Sequence, residues 1–158
     1  MENIIGKIEK SSPPHKHKRY EITVFTEGSG IFCCEKLQAK LTPGKIFIIP
    51  PNIEHQVFQA ENSSRLYIYS EFNNSLNFTT PVVLPLNPEN EGQILAEMIF
   101  NNRYGNSEYV SSLINAFVFF LLQNIKAENE INTAIKEIIH MISENFFWLR
   151  IKPLWNFE

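Results

Sequence analysis

The chain of 158 residues contains no aspartate; all 17 acidic residues are glutamate, so any carboxylate in a site must come from Glu. Cysteine is scarce as well, and the two present, Cys33 and Cys34, are adjacent. Neighbours on an extended strand point to opposite faces, which argues against an ordinary disulfide within the domain. With no C-x-x-C either, a reducing, cytoplasmic setting is the default expectation. Long apolar runs are missing too: the longest, Ala116 to Leu122, is seven residues, against the roughly 18 needed to suggest a membrane span. The first ten residues, MENIIGKIEK, are charged and lack the apolar centre of a signal peptide. Neither secretion nor a membrane partner is expected. Like charges never run far, and the formal net charge is −3, which argues against a chain built mainly to grip the phosphate backbone of nucleic acid.

What is present divides in two. At 44% hydrophobic the chain can bury a core. Residues 1–85 read as short strands separated by turn signals: Tyr20 to Phe25 before Glu27-Gly-Ser-Gly30, Ile31 to Cys34, a tight turn at Glu35-Lys36, Leu37 to Leu41, Thr42-Pro-Gly44, Lys45 to Ile49, Pro50-Pro51-Asn52, His55 to Gln59, and Arg65 to Ser70. Such a pattern suits a small barrel or a double-sheet sandwich. From residue 86 the period becomes helical. Pro88-Glu-Asn-Glu91 reads as a helix start, followed by Ile94, Leu95, Met98 and Ile99 at 3–4 spacing. Ser107 reads as the N-cap of a second helix, whose broad stripe includes Val110, Ile114, Phe117, Val118, Leu121 and Leu122. A third helix is expected over about Ile131 to Phe146.

One constellation carries chemistry. In His15-Lys-His17-Lys-Arg-Tyr20-Glu21, positions 15, 17 and 21 share a face if the segment is extended. A second strand beside it could bring His55 to the same place. Three imidazoles and one carboxylate suit a divalent ion such as Zn, Fe, Ni or Mn. The same side chains could instead line a metal-free polar pocket.

His15, His17 and Glu21 with Gly28, and Gly44, Pro50 and His55, resemble the two paired motifs of the cupin superfamily. Asn52 stands where the second motif usually has Gly. The finer pattern, Glu27-Gly28-Ser-Gly30 and Leu41-x-Pro43-Gly44-x-x-Phe47-Ile-Ile-Pro50-Pro51, is similar to the N-terminal ligand-sensing domain of AraC/XylS-type transcription regulators, and Ile131 to Phe146 resembles the helix that opens their DNA-binding domain. The resemblance implies a mainly β fold followed by α, with a cupin-like jelly-roll β-barrel and a C-terminal helical dimerisation segment. It implies an effector-sensing barrel over 1–85, a dimerising helical pair over 86–128, and the start of a truncated DNA-binding domain with an atypical tail over 129–158. The expected partners are a small-molecule effector, bound by His15, His17, Tyr20, Glu21 and His55, and a second copy of the chain paired through 107–126. No helix-turn-helix pattern follows Phe146, so specific DNA binding is expected of a full-length form and not of this chain. No catalytic function is expected; the alternative is a metal-dependent cupin enzyme of oxygenase, isomerase or decarboxylase type using His15, His17, Glu21 and His55.

Overall fold

The computed structural model describes residues 3–34, 37–72, 76–84 and 90–150. The turn expected at Glu35-Lys36, the helix start at Pro88 and the last eight residues of the tail lie outside them. Residues 1–121 and 122–158 form separate compact units.

Among the described residues nine strands precede two helices: β1 (Ile4–Ile8), β2 (Ser12–His15), β3 (Tyr20–Glu27), β4 (Gly30–Cys34), β5 (Leu37–Leu41), β6 (Ile46–Ile49), β7 (His55–Gln59), β8 (Ser64–Ser70), β9 (Val82–Leu84), α1 (Glu91–Asn102) and α2 (Ser107–Arg150). The strands make two sheets, ordered β1-β8-β3-β6-β9 and β2-β7-β4-β5, with antiparallel pairing throughout. The expected closed barrel is therefore corrected to a pair of open sheets. Among the described residues no strand of one sheet is hydrogen-bonded to a strand of the other. The edge strand β2 reads Ser-Pro-Pro-His, and its two prolines have no N–H to offer a further neighbour. Facing sheets bury the apolar residues without closure.

That core lies between the sheets. Phe25, Phe47 and Ile49 from the first sheet meet Phe32, Leu41 and Val57 from the second, and the Phe32 and Phe47 rings stand 4.8 Å apart. Register explains why β3 is buried on both sides. Glu21, Thr23 and Phe25 face the second sheet, while Ile22 and Val24 face outward with Ile46 and Ile48. α1 covers that outer side, packing on β1, β3 and β8. Its Gly92 permits a close approach, because a Cβ there would collide with Ile46 and Phe120. The β3–β4 turn needs Gly28, whose φ is +82°.

Arg65, 1% exposed, ties the two sheets together. From β8 its guanidinium donates to Gln59 Oε1 of β7, Ser12 Oγ of β2 and the Lys10 carbonyl.

The helical half differs from expectation in two ways. The cap of α2 is Asn106, whose Oδ1 accepts the N–H groups of Glu108 (2.9 Å) and Tyr109 (3.0 Å), so Ser107 is already helical. The second and third expected helices are one continuous helix, Ser107–Arg150. The stretch expected to separate them, Ala127-Glu-Asn-Glu130, contains no Gly or Pro. Lys126 and Glu130 pair across one turn of it at 3.9 Å. By length and composition alone α2 could also cross a membrane. Its apolar residues Val110, Ile114, Phe117, Val118 and Leu121 are, however, buried within the first unit.

Candidate metal centre

His15 ends β2 and lies directly across from His55, the first residue of β7. The chain then leaves the strand at Lys16–Arg19 and enters β3, in the opposite sheet, at Tyr20. The quartet is thus not one face of a single strand, as the odd-numbered spacing implied. It spans the gap between the sheets: His15 and His55 from one, Glu21 from the other, and His17 on the connection. That connection is pinned, because the His17 carbonyl accepts the N–H of Asn52 at 2.7 Å. Asn52 holds φ at 64°, a left-handed conformation that Asn tolerates better than most residues and that accounts for Asn in place of the motif's Gly.

The four potential ligand atoms lie within 4.8 Å of one another. Glu21 and His55 are buried, at 3% and 2% exposure, while His15 and His17 are half-buried. Ring centroids stand 4.3 Å apart for His15 and His55 and 5.1 Å for His17 and His55. Donors about 2.1 Å from a common ion stand about 3.4 Å apart in a tetrahedron and up to about 4.2 Å when trans. Small torsional adjustments would close the set on one ion.

Hydrogen bonding sets the tautomers. Nδ1 of His15 lies 2.7 Å from the Pro13 carbonyl, Nδ1 of His17 2.7 Å from that of Arg19, and Nδ1 of His55 2.9 Å from that of Ile53. A carbonyl only accepts, so each Nδ1 carries the proton and, in a neutral ring, each Nε2 presents a lone pair. These lone pairs converge on a carboxylate, itself only an acceptor. Oε2 of Glu21 is 2.8 Å from Nε2 of His17 and 3.3 Å from Nε2 of His55. The second contact misses hydrogen-bond geometry, leaving His55 Nε2 a buried polar atom with no hydrogen-bond partner among the described residues. A cation resolves such a convergence of acceptors, and backbone carbonyls on the distal nitrogens are the usual support of metal-binding histidines. The four side chains thus fit a divalent metal ion.

The electrostatics point the same way. Burial opposes ionisation of Glu21, but hydrogen bonds with His17 and Thr23, together with the nearby His55 ring, outweigh it and hold the carboxyl well below the usual range. Burial likewise opposes charge on His17. Its contacts with Glu21 and the Arg19 carbonyl prevail and raise its pKa above 6.5. The Tyr69 phenol is pushed up by burial first and then by the charge of Glu21.

Tyr20, expected with the ligand-binding residues, lies outside the quartet. Its hydroxyl donates to the Phe78 carbonyl and accepts the Phe78 N–H, both at 3.0 Å. Two neighbours of the centre were not anticipated. Thr23 donates its hydroxyl to Oε1 of Glu21, and a residue two positions along the same strand could have been found by parity. Tyr69, whose ring stands 4.7 Å from that of His17, arrives through the long-range pairing of β8 with β3 and has no local signal. Cys34 pairs across from His55 in β4 and lines a cavity of about 560 Å³ with Lys16, Asn52, Ile53, Thr79 and Thr80.

The expectation of no catalytic function is corrected by this geometry. A three-imidazole, one-carboxylate centre is chemically equipped for Lewis-acid catalysis once it holds a metal.

No curated protein matches the chain at the level of sequence. Among solved structures, apo ToxT from Vibrio cholerae strain SCE256 overlays with a TM-score of 0.61 at 10% identity, covering 81% of this chain and 57% of that one. The chain therefore spans little more than half the length of that protein. A cupin-2 domain protein from Shewanella frigidimarina NCIMB 400 gives a TM-score of 0.37 at 22% identity over 42% of this chain and 66% of its own. KdgF from Halomonas sp. gives 0.38 at 23% identity over 44% and 68%. Residues 6–80 match the family described as the AraC-like ligand binding domain. The ToxT overlay shows a shared fold that extends beyond that segment, and residues 6–80 are the part of the chain that matches the AraC-like ligand binding domain.

Proposed function

We propose that the chain is the effector-sensing part of an AraC-type transcription regulator, and that sensing depends on a divalent metal ion held by His15, His17, Glu21 and His55. One observation carries the metal-dependent reading: three imidazole lone pairs fixed by backbone carbonyls converge on one carboxylate. The metal would supply a Lewis-acidic point of attachment. The protein would orient it, with a small-molecule effector reaching it from the neighbouring cavity at Cys34, Ile53 and Lys16. Residues 1–85 would then do the sensing and 86–128 the pairing, while 129–158 would correspond to the start of a DNA-binding domain. The region 107–126 pairs two copies through what it leaves outside: Phe117, Val118 and Leu121 are buried in their own unit, whereas Tyr109 and Phe119 are exposed. The setting is cytoplasmic.

The test is elemental analysis of protein purified without chelator or His tag, followed by calorimetric titration of the metal-free form with Zn, Mn, Ni and Fe(II) salts. About one ion per chain is expected. No binding of any of the four ions overturns the metal-dependent reading. The same centre favours a second reading, a metal-dependent cupin enzyme. Turnover of a candidate effector by the metal-loaded protein, lost in Glu21→Gln, would identify it.

A further inference from the structure

Glu21 has two carboxylate oxygens, and they face different partners. Oε2 points at the imidazoles, 2.8 Å from His17 and 3.3 Å from His55. Oε1 accepts the hydroxyl of Thr23. Both residues are 3% exposed, so water does not compete for Oε1. Thr23 follows Glu21 by two positions on β3 and shares its inward face, and a β-branched side chain on a strand has little rotamer freedom. Its Cα partners are Phe47 and Tyr67, strands on either side that hold the backbone beneath it.

We propose that Thr23 is a positioning residue that holds Glu21 to one-oxygen ligation, so that a metal bound here takes four protein donors and keeps coordination positions for a small anionic ligand. The inference rests on the metal-dependent reading above. With the Thr23 hydroxyl present, Oε1 is occupied as an acceptor and Oε2 alone is free for the metal. Without it Oε1 loses the hydroxyl it accepts inside the protein, which is costly. The Tyr69 phenol and the Arg65 guanidinium also act on Glu21, but a divalent metal held by the other oxygen of the same carboxylate carries the higher charge. Glu21 then chelates through both oxygens and fills a position that an incoming ligand would use. Groups of this kind, one step removed from the metal, typically alter affinity by about 10- to 100-fold.

Cobalt(II) substitution tests it, because Co(II) visible bands weaken as coordination number rises, with azide as the probe ligand. Wild type, Thr23→Ser and Thr23→Val are loaded with Co(II), recorded, and titrated with azide; circular dichroism of the metal-free forms checks folding. Wild type and Thr23→Ser are expected to share one spectrum that azide perturbs. Thr23→Val should show weaker bands and bind azide about tenfold or more weakly. If Thr23→Val does not fold, Thr23→Ala is measured against the same expectations. A folded hydroxyl-free variant with the wild-type spectrum and azide affinity overturns the role of Thr23 while leaving the metal centre standing. Failure of wild type itself to take up Co(II) removes the metal reading, and the role of Thr23 with it.

Discussion

Nε2 of His17 and Oε2 of Glu21 stand 2.8 Å apart, while Nδ1 of the same ring is committed to the Arg19 carbonyl. In the metal-free protein the short contact is a hydrogen bond only if Nε2 also carries a proton, that is, if His17 is an imidazolium. Its pKa is raised above 6.5, with burial overcome by the contact with Glu21. The stability it contributes is therefore fully present below 6.5 and lost as pH rises through the raised value. Glu21 has the opposite sign: its carboxyl is depressed below 4.5, so its contribution is present above 4.5 and lost as pH falls through the lowered value. The metal-free domain should melt highest between these limits. Metal binding reverses the alkaline side, since the ion displaces the His17 proton. Affinity should rise with pH across and above 6.5, by up to about tenfold per unit for each proton released. Calorimetry in buffers of differing protonation enthalpy measures that proton count, and a pH-independent affinity with no proton release would count against the scheme.

Removing a ligand should cost far more than removing a support. His15→Ala and His55→Ala each delete one imidazole donor and should lower metal affinity by about 100-fold or more, whereas partners one step from the metal cost about 10- to 100-fold. Competition with a chromophoric chelator reads the difference. Equal affinity for wild type and both variants would show that the imidazoles bind nothing.

Arg65 predicts a purely structural effect. Arg65→Met fills much of the same space but removes the donor to Gln59 Oε1, Ser12 Oγ and the Lys10 carbonyl. The expected loss is about 2–4 kcal/mol, measured by urea unfolding of the metal-free form. A loss under about 0.5 kcal/mol, within the range of ordinary surface changes, would mean that the arginine does not tie the sheets.

Two substitutions on α2 separate folding from assembly. Leu121 is 0% exposed and Phe119 64%. Leu121→Glu buries a charge in the first unit and should unfold it rather than dissociate a dimer. Phe119→Glu should leave the circular dichroism spectrum unchanged and shift the mass in light scattering from twice the 18.4 kDa of one chain to a single chain. A wild-type protein of single-chain mass at every concentration would dispose of the pairing.

Much of this protein can be read from residue order because much of it is local. Apolar alternation punctuated by Gly and Pro places β3 to β8 nearly to the residue, since period and turn chemistry act over a few positions. The quartet of His15, His17, Glu21 and His55 stands out because the residue types themselves carry the donor chemistry. The weaker signals were missed: β1, β2 with its two prolines, and the three-residue β9 have little periodicity of their own and exist by pairing with longer strands.

What the tertiary structure decided is non-local. Spacing put His15 and Glu21 on one strand face, but the bend at Lys16–Arg19 sends them to opposite sheets, and their meeting depends on how those sheets pack. Closure into a barrel is a property of hydrogen bonds between edges far apart in sequence, and the same apolar pattern is equally satisfied by two facing sheets. Tyr69 joins the site only because β8 pairs with β3 in one register, and a one-residue slip would turn it away. The stripe of α2 is broad enough for two partners, and only packing shows that Phe117 and Leu121 serve the chain's own core while Phe119 faces outward. The amino-acid order determined which groups could do chemistry and which segments would be strand or helix. Three-dimensional packing determined which of those groups meet, because proximity between distant residues is set by sheet register and burial and not by any local preference of the chain.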